Sequence, residues 1–199
     1  DWFFISHRLS VAEAALREGH EVHIATSFIS GAETLRAKGF FLHPIAIDRS
    51  NSNPSGLIAL FVSFVRLFWK LRPDVVHLIT IKPVLIGGVA ARFSPVRGVL
   101  FAISGLGHVF IANGLFSSLR RQLVGIWYRV ALGFRNKVII FQNPDDKDSI
   151  ISLAGVPSDQ VLLIPGSGIR LSDFDPTSVA DGDAIVIMVA RLLRTKGVR

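Results

Sequence analysis

The feature that most constrains the fold is an alternation of short apolar runs with longer helix-like runs along the chain. The runs predicted as strands are Glu21–Thr26, Phe40–Ile47, Asp74–Ile79, Gly98–Ala102, Lys137–Gln142, Gln160–Ile164 and Ala184–Val189. Several of them are apolar on both faces, which is typical of parallel strands covered by helices on each side. The alternation therefore predicts an α/β fold built on a doubly wound parallel sheet.

Start and stop signals bound the helices between these strands. The alanine-rich run Leu9–Glu18 is the first predicted helix, and Asn143 followed by Pro144 predicts the start of another. Predicted caps are Ser30, Ser55 and Asn143, and predicted ends are Gly19, Gly39, Pro73 and Gly155. Each pattern is one that helices use to satisfy the free backbone groups of their first and last turns.

The first helix-like run has no strand before it. In the common doubly wound order, strand one lies at the centre of the sheet between strands two and four. Without it, two strands would face a gap with unpaired backbone groups, which is costly. We therefore expect this chain to lack the first central strand and the native protein to carry one upstream of Asp1.

The composition of the chain changes near its end. Residues 165–183 are rich in Gly, Ser, Asp and Pro and show no apolar periodicity, which is typical of a linker. The sequence therefore predicts a first Rossmann-like domain over residues 1–164, a linker over 165–183 and the start of a second such domain over 184–199.

Charge is distributed unevenly. Between Arg49 and Pro144 there are twelve Lys or Arg residues and one acid, Asp74, which gives this basic block a net charge of +11. Such a block indicates an anionic partner, namely a membrane surface, phosphates or nucleic acid. The alternative is a soluble domain that is merely basic. The absence of cysteine excludes thiolate metal sites and cysteine nucleophiles.

Two cations follow the last predicted strand. Arg191 lies just beyond Val189, and Lys196 follows five residues later. Ligands of parallel α/β proteins gather beyond the carboxyl ends of the strands, and two fixed cations there suit a diphosphate. A solvated basic turn is the alternative when charge alone is considered.

Ordered motifs run along nearly the whole chain. They are Trp2–Leu9, Gly19–Thr26, Arg72–His77, Ile81–Leu85, Ala102–Gly107, Phe141–Asp146, Ile164–Gly168 and Ala190–Gly197. On these segments the chain resembles the family-4 retaining glycosyltransferases of GT-B fold, in particular the bacterial enzymes that build surface polysaccharides or lipid-linked saccharides. No single motif is decisive, but the ordered set is specific.

The resemblance implies a function for the whole enzyme. The N-terminal domain would hold the acceptor, and the C-terminal domain would bind a nucleotide-sugar whose hexose or N-acetylhexosamine is transferred with retention. Arg191 and Lys196 would neutralise the donor diphosphate as charge builds on it. No metal or other cofactor is expected, and these 199 residues alone are expected to be inactive because the family's paired glutamates lie further along the chain.

The same resemblance places the Ser6, His7 and Arg8 loop near the reacting sugar and the acceptor. His7 or Arg8 could then contact a phosphate or a hydroxyl group. A surface position for this pair is the alternative suggested by the residues alone.

Further candidates follow the strand at Gly98. Ser104, Gly105 and Gly107 would lie at the cleft edge, where glycines allow backbone N–H groups to approach a ligand. Many family members carry a histidine here that contacts the donor sugar, and the nearest one in this chain is His108. His7 and His108 are thus the catalytic candidates, while Asn143 is predicted to act first as a helix cap and also as a minor acceptor contact.

The remaining histidines are not predicted to be ligands. His77 follows two apolar residues within a strand and is expected to be a satisfied core histidine. His20, His23 and His43 show no ligand spacing, so no metal site is predicted.

Two helix-like runs, Leu57–Leu71 and Leu115–Phe134, combine apolar residues with Arg, Lys, Trp and Tyr. Their apolar faces must pack on the sheet, yet basic amphipathic helices also suit contact with an anionic membrane. The segment from Leu57 to Trp69 is too short to span a bilayer and is interrupted by Arg66. We expect a cytoplasmic protein, peripheral on the inner face of the membrane, with a lipid-linked or saccharide acceptor.

Two rival functions remain open. One is another GT-B enzyme, such as a nucleotide-sugar 2-epimerase, and the other is a non-catalytic basic module that docks on a membrane. Nucleic acid is not expected as a partner, because no recognised binding motif accompanies the charge.

Overall fold

The structure is a computed structural model that describes residues 2–28, 30–47, 53–105 and 117–166, with isolated positions at 168, 175, 182, 186, 187 and 189 and no side chains at 117–121. The chain divides into two compact units, Asp1–Gly168 and Ile169–Arg199. That division falls inside the predicted linker over 165–183, whose bounds stay a prediction. The second unit retains only isolated described positions, so the elements below belong to the first.

All described strands are parallel, and they form two sheets. The first pairs β1 (His23–Thr26) with β2 (Phe41–Pro44). The second has the order β3-β4-β5-β6. Its strands are β3 (Val75–Ile79), β4 (Gly98–Ile103), β5 (Lys137–Phe141) and β6 (Val161–Leu163). The predicted α/β class with parallel sheets is therefore confirmed.

No described strand joins β1 to β3, which is where the sequence predicted the central strand to be lacking. A strand upstream of Asp1 stays a prediction. The strand predicted at Ala184–Val189 lies outside the described residues, apart from isolated positions.

Helices connect the strands. They are α1 (Trp2–His7), α2 (Leu9–Arg17), α3 (Ala32–Ala37), α4 (Pro54–Leu71), α5 (Gly88–Arg92), α6 (Ser117–Ala131) and α7 (Pro144–Ala154). A π-helical turn, Pro83–Gly87, leads into α5, and a 3-10 turn, Ser158–Gln160, precedes β6. Contacts of α4 with α5, of α5 with α6 and of α6 with α7 place these four helices in one layer.

The larger core lies between that helical layer and the β3–β6 sheet. Phe64 and Phe68 of α4 and Tyr128 of α6 pack with Phe101 of β4 and Ile139 of β5, all with at most 4 % of their surface exposed. Phe101 and Ile139 are direct cross-strand partners, so the register itself aligns the buried residues. A smaller core gathers Ala12, Ile24, Leu35 and Phe40 from α2, α3 and the first sheet.

The helix ends test the predicted caps. Asn143 caps α7, and Gly155 ends it in the left-handed conformation with φ of 64°, as predicted. The other two predicted caps are wrong. The N-cap of α3 is Gly31 rather than Ser30, and α4 begins at Pro54 after Asn53, which moves Ser55 inside the first turn. Proline takes the first helical position because its φ is already helical and its missing N–H is not needed there.

Helix α4 is longer than predicted. Its 18 residues have a mean hydropathy of 1.4, which makes it the one described helix that could cross a membrane by length and composition. The core helix of an α/β sheet meets the same test, and Leu60, Phe64 and Phe68 of α4 are buried in the larger core.

Candidate functional site

The candidate site is the carboxyl edge of the second sheet. Because β3 to β6 are parallel, their carboxyl ends meet at one side, where ligands of such sheets bind. We use "carboxyl edge" for the residues that follow these ends, namely Thr80–Lys82, Ser104–Gly105, Gln142–Asn143 and Ile164–Gly166. Hydroxyl, ammonium and amide groups thus follow three adjoining strands.

Thr80 is strained at this edge. Its φ is +72°, in a region that a β-branched residue rarely enters. Two hydrogen bonds hold it there, because its N–H donates to the Ala102 carbonyl at 3.3 Å and its own carbonyl accepts from the N–H of Val84 at 3.0 Å. The π-helical turn Pro83–Gly87 follows at once. Backbone strain and π-bulges both concentrate at functional sites. No sequence signal marks Thr80, since threonine disfavours this conformation.

Ser104 and Gly105 lie where the sequence predicted them, directly after β4, and both are partly buried. The register brings Ile79 of β3 opposite Ala102 of β4, so these residues share the edge with Thr80. The other two candidates of this segment, Gly107 and His108, lie outside the described residues. Their roles stay predictions.

Asn143 acts as the N-cap of α7. Its Oδ1 accepts from the backbone N–H of Asp146 at 2.8 Å, and its Nδ2 donates to the Asp146 carboxylate at 2.6 Å. The predicted cap role is therefore confirmed. The second N–H of Nδ2 takes no part in these bonds, and an acceptor contact of Asn143 stays a prediction.

Gln142 also belongs to the edge, although the sequence did not single it out. Its Nε2 donates to the Gly166 carbonyl at 3.1 Å and so ties the end of β5 to the segment after β6. Alternation along β5 could have marked it as the first polar residue after an apolar strand.

The segment predicted as a Ser6–His7–Arg8 loop is largely helical, which corrects that prediction. Ser6 and His7 end α1, and Arg8 precedes α2. The Ser6 hydroxyl bonds back to the Trp2 carbonyl at 2.9 Å, which satisfies it inside the helix. The Ser6 hydroxyl also lies 2.6 Å from Nδ1 of His7, whose ring stacks on Phe3 at 4.6 Å. Neither side chain is brought beside Ser104 by a described contact.

Arg8 is brought close to His77 instead. The Arg8 Nε and the His77 Nε2 are both buried without a hydrogen-bond partner among the described residues. Burial, and then the charge of Arg8, lowers the pKa of His77 to about 4. Burial also lowers the pKa of Arg8. The expectation of a satisfied core histidine is thus wrong, because His77 is partly buried and its Nε2 is unsatisfied.

A histidine pair that the sequence did not predict joins β1 and β2. His23 Nδ1 lies 2.8 Å from His43 Nε2, and His23 Nε2 lies 2.6 Å from the Glu21 carboxylate. The two histidines are twenty residues apart, and only the parallel pairing of the strands brings them together. Burial, His23 and Lys70 together lower the pKa of His43.

Two predictions concern the donor diphosphate and metal ions. Arg191 and Lys196 lie outside the described residues, so their diphosphate role stays a prediction. Within the described part of the chain, no group of three or more His, Cys, Asp or Glu residues is arranged to hold a metal ion.

Comparison with known proteins identifies the family. Residues 1–143 match the family described as Glycosyl transferase 4-like. The chain belongs to this family. The resemblance drawn from the ordered motifs is therefore confirmed. No match to a curated protein was found.

Similarity to a solved structure concerns the fold alone. A glycosyltransferase from Rickettsia africae ESF-5 is similar with a TM-score of 0.55 and 15 % identity, over 87 % of this chain and 41 % of that chain. MurG of Acinetobacter baumannii shows 18 % identity over 83 % of this chain and 42 % of its own, with a TM-score of 0.49, below the level that indicates a shared fold. The chain thus spans about two-fifths of the length of these proteins.

Proposed function

We propose that the protein transfers a hexose or N-acetylhexosamine from a nucleotide-sugar to a lipid-linked or growing saccharide, with retention at the anomeric carbon. The proposal rests on one observation: a chain of the Glycosyl transferase 4-like family collects polar side chains at the carboxyl edge of its second sheet. There the strained Thr80, Lys82 and Ser104 follow adjoining parallel strands. Their hydroxyl and ammonium groups suit the hydroxyls and phosphates of a lipid-linked saccharide.

The donor side of the proposal assigns the diphosphate to Arg191 and Lys196. Breaking the bond to the anomeric carbon builds negative charge on the departing nucleoside diphosphate. Fixed cations stabilise that charge in the transition state, and loss of one such group typically lowers kcat by about 10²–10³-fold. These two side chains would supply the positive charge, so the reaction as proposed uses no metal ion.

The test is an assay of the protein that carries this chain with its native flanking sequence. UDP- and GDP-sugars are offered with a polyprenyl-diphosphate-linked acceptor, and the anomeric configuration of the product is read by NMR. We expect transfer with retention, and a loss of about 10²-fold or more in kcat for Arg191→Gln and for Lys196→Gln. Arg97→Gln is the matched control, because Arg97 pairs with Asp74 on an exposed surface.

Other outcomes would contradict the proposal. Epimerised nucleotide-sugar without transfer would identify the nucleotide-sugar 2-epimerase alternative. Membrane binding with no affinity for any nucleotide-sugar would identify the non-catalytic docking module. An inverted product would overturn retention while leaving glycosyl transfer in place.

We also propose that the enzyme works at the inner face of the membrane. Helix α6 supports this, because it is apolar on two sides. Tyr128 and Ala131 are buried in the core, while an outward stripe remains exposed. The stripe is Leu123, Ile126, Trp127 and Val130, which are 58, 56, 47 and 42 % exposed. Their spacing puts all four on one face of the helix.

The basic block makes an anionic bilayer the fitting partner of that stripe, since buried apolar area and attraction to anionic lipids add together. Sedimentation with vesicles tests the location. We expect binding to phosphatidylglycerol vesicles that weakens with salt and with Trp127→Ser. Equal binding to neutral vesicles, or none, would contradict it.

A further inference from the structure

A pocket of about 250 Å³ lies between the end of β2 and helix α4. His43, Pro44 and Ile45 form one wall, and Arg66, Leu67 and Lys70 form the other. The hydroxyl of Ser27, after β1, fixes the first wall, because it donates to the Ile45 carbonyl at 2.9 Å and accepts from the N–H of Ile47 at 3.0 Å. The pocket therefore has a braced strand end on one side and a helix on the other.

The helix wall is cationic and unneutralised. Arg66 and Lys70 are four residues apart, so they lie on one face of α4, and Ser63 precedes them on that face. Neither cation forms an ion pair within the described part of the chain. The basic block holds a single acid, Asp74, and that carboxylate is already bound to Arg97 at 2.7 Å. An anion in the pocket would meet two cations with no competing carboxylate from this block.

The strand wall adds the imidazole of His43. Burial, His23 and Lys70 lower its pKa, and a bound anion would raise it, because an opposite charge favours the protonated form. A carboxylate only accepts hydrogen bonds, so the His23 Nε2 donates to Glu21, and in the tautomer without a proton at Nδ1 the His23 Nδ1 accepts from the His43 Nε2. This chain of bonds leaves Nδ1 of a neutral His43 without a proton. Protonation of His43 would therefore place a new N–H at Nδ1 and keep the bond to His23.

We propose that this pocket binds the phosphate of an anionic phospholipid, with Arg66 and Lys70 as the cationic contacts. The inference rests on the membrane association proposed above and names residues that would carry it. A guanidinium fork and an ammonium group four residues apart match the oxygens of a phosphate.

The surroundings of the pocket favour a lipid over a soluble phosphate. The helix that supplies both cations also exposes apolar side chains, with Ile58 63 % and Trp69 54 % exposed. On α4, Trp69 follows Arg66 by three residues and Ile58 by eleven, so charge and apolar surface share the outward side of the helix. That combination suits the boundary between headgroups and acyl chains, where tryptophan is enriched. A soluble ligand would leave these apolar groups in water.

The test measures vesicle binding of the protein with its native flanks and of the R66Q/K70Q variant. Vesicles contain phosphatidylcholine with or without phosphatidylglycerol. We expect the variant to bind the phosphatidylglycerol vesicles roughly 30-fold more weakly, as loss of two surface cations predicts. The matched control is R17Q/R36Q, which removes the same charge from the exposed surfaces of α2 and α3 and should bind like wild type. R66K/K70R, which keeps the charge, should restore most of the binding.

The arms separate the possible failures. If R66Q/K70Q binds like R17Q/R36Q, the pocket inference is overturned while membrane association stands. If wild type shows no preference for phosphatidylglycerol, the proposed membrane association and the pocket inference both fail, while glycosyl transfer is untouched. The third arm titrates inorganic pyrophosphate without vesicles, in protein that also carries Arg191→Gln and Lys196→Gln, because the proposed donor site would otherwise bind it. Saturable pyrophosphate binding that R66Q/K70Q abolishes, with vesicle binding unchanged, would assign the pocket to a soluble phosphate and overturn the lipid. Circular dichroism melts establish that each variant is folded.

Discussion

The guanidinium of Arg8 lies close enough to His77 of β3 for its positive charge to lower the pKa of that imidazole, and each side chain has a buried nitrogen with no described partner. Burial is the larger cause, since a charged imidazole loses hydration inside the protein. The pair joins the start of α2 to the middle of a strand of the second sheet. His77 is therefore held neutral in the folded state.

This arrangement predicts a loss of stability in mild acid. The pKa of His77 is about 4 in the folded protein, against an ordinary value of 6.5 in the unfolded chain, so the unfolded chain takes up the proton first as pH falls. Stability is then lost as pH falls through the window between those values, and the loss from about pH 7 to about pH 5 should be roughly 2 kcal/mol from His77. Urea unfolding of wild type and His77→Leu at both pH values measures it, and the variant should show a smaller loss.

Arg8→Met tests whether the charge of Arg8 contributes to the lowered pKa of His77. Removing the charge should raise the pKa of His77, which NMR titration of the imidazole reads directly. An unchanged imidazole titration in Arg8→Met would show that burial alone sets the value. Equal acid sensitivity of wild type and His77→Leu would contradict the assignment to His77.

Packing at Gly88 predicts a second effect. A Cβ at this position would lie 2.5 Å from the Ala131 carbonyl oxygen and 2.9 Å from a ring carbon of Phe101. The oxygen belongs to the backbone of α6, so it can move only with that helix. Gly88→Ala should therefore cost about 1–3 kcal/mol or more in unfolding free energy. Gly56→Ala is the matched control, because a Cβ there meets nothing within 4 Å, and it should stabilise α4 by about 0.5–1 kcal/mol. Equal stability of the two variants in urea unfolding would contradict this packing.

The strands of the second sheet were predictable from the sequence because their signal is local. The observed bounds of β3, β4 and β5 lie within one residue of the predicted runs. Buried parallel strands need apolar residues on both faces, so a few consecutive apolar residues are enough to predict them. The Asn143 cap and the Gly155 end of α7 were predictable for the same reason, since each uses one residue type that suits one backbone geometry.

The site was only partly predictable. Ser104 and Gly105 follow from the end of β4, but the bond between His23 and His43 depends on the pairing of two strands twenty residues apart. The strain at Thr80 opposes the local preference of threonine, so it arises from the bonds that its backbone makes with Ala102 and Val84. The local sequence pattern identifies helices and strands, whereas the histidine pair and the strain at Thr80 are set by tertiary structure.

Asn143 gives a third prediction. Its Oδ1 satisfies a free N–H in the first turn of α7, so Asn143→Ala should lower the unfolding free energy by about 1 kcal/mol. Asn143→Ser retains a cap acceptor and should cost less. Asn143→Asp also retains the cap acceptor. It places a second carboxylate beside that of Asp146, which in wild type accepts a hydrogen bond from the Asn143 Nδ2 at 2.6 Å. Urea unfolding ranks the three variants, and an alanine variant as stable as the serine variant would contradict the cap energetics.

Thr80 gives the last prediction, which separates stability from activity. Its φ of +72° costs a β-branched residue about 1–2 kcal/mol, and glycine avoids that cost while losing more freedom on folding. Thr80→Gly should therefore raise the unfolding free energy by roughly 0.5–1 kcal/mol. It also removes a hydroxyl and loosens the carboxyl edge, so the kcat/KM of glycosyl transfer should fall about tenfold. Thr80→Ala keeps most of the strain without the hydroxyl, and it should lose activity with no gain in stability. Full activity in the glycine variant would show that the strain at Thr80 serves the fold rather than the site.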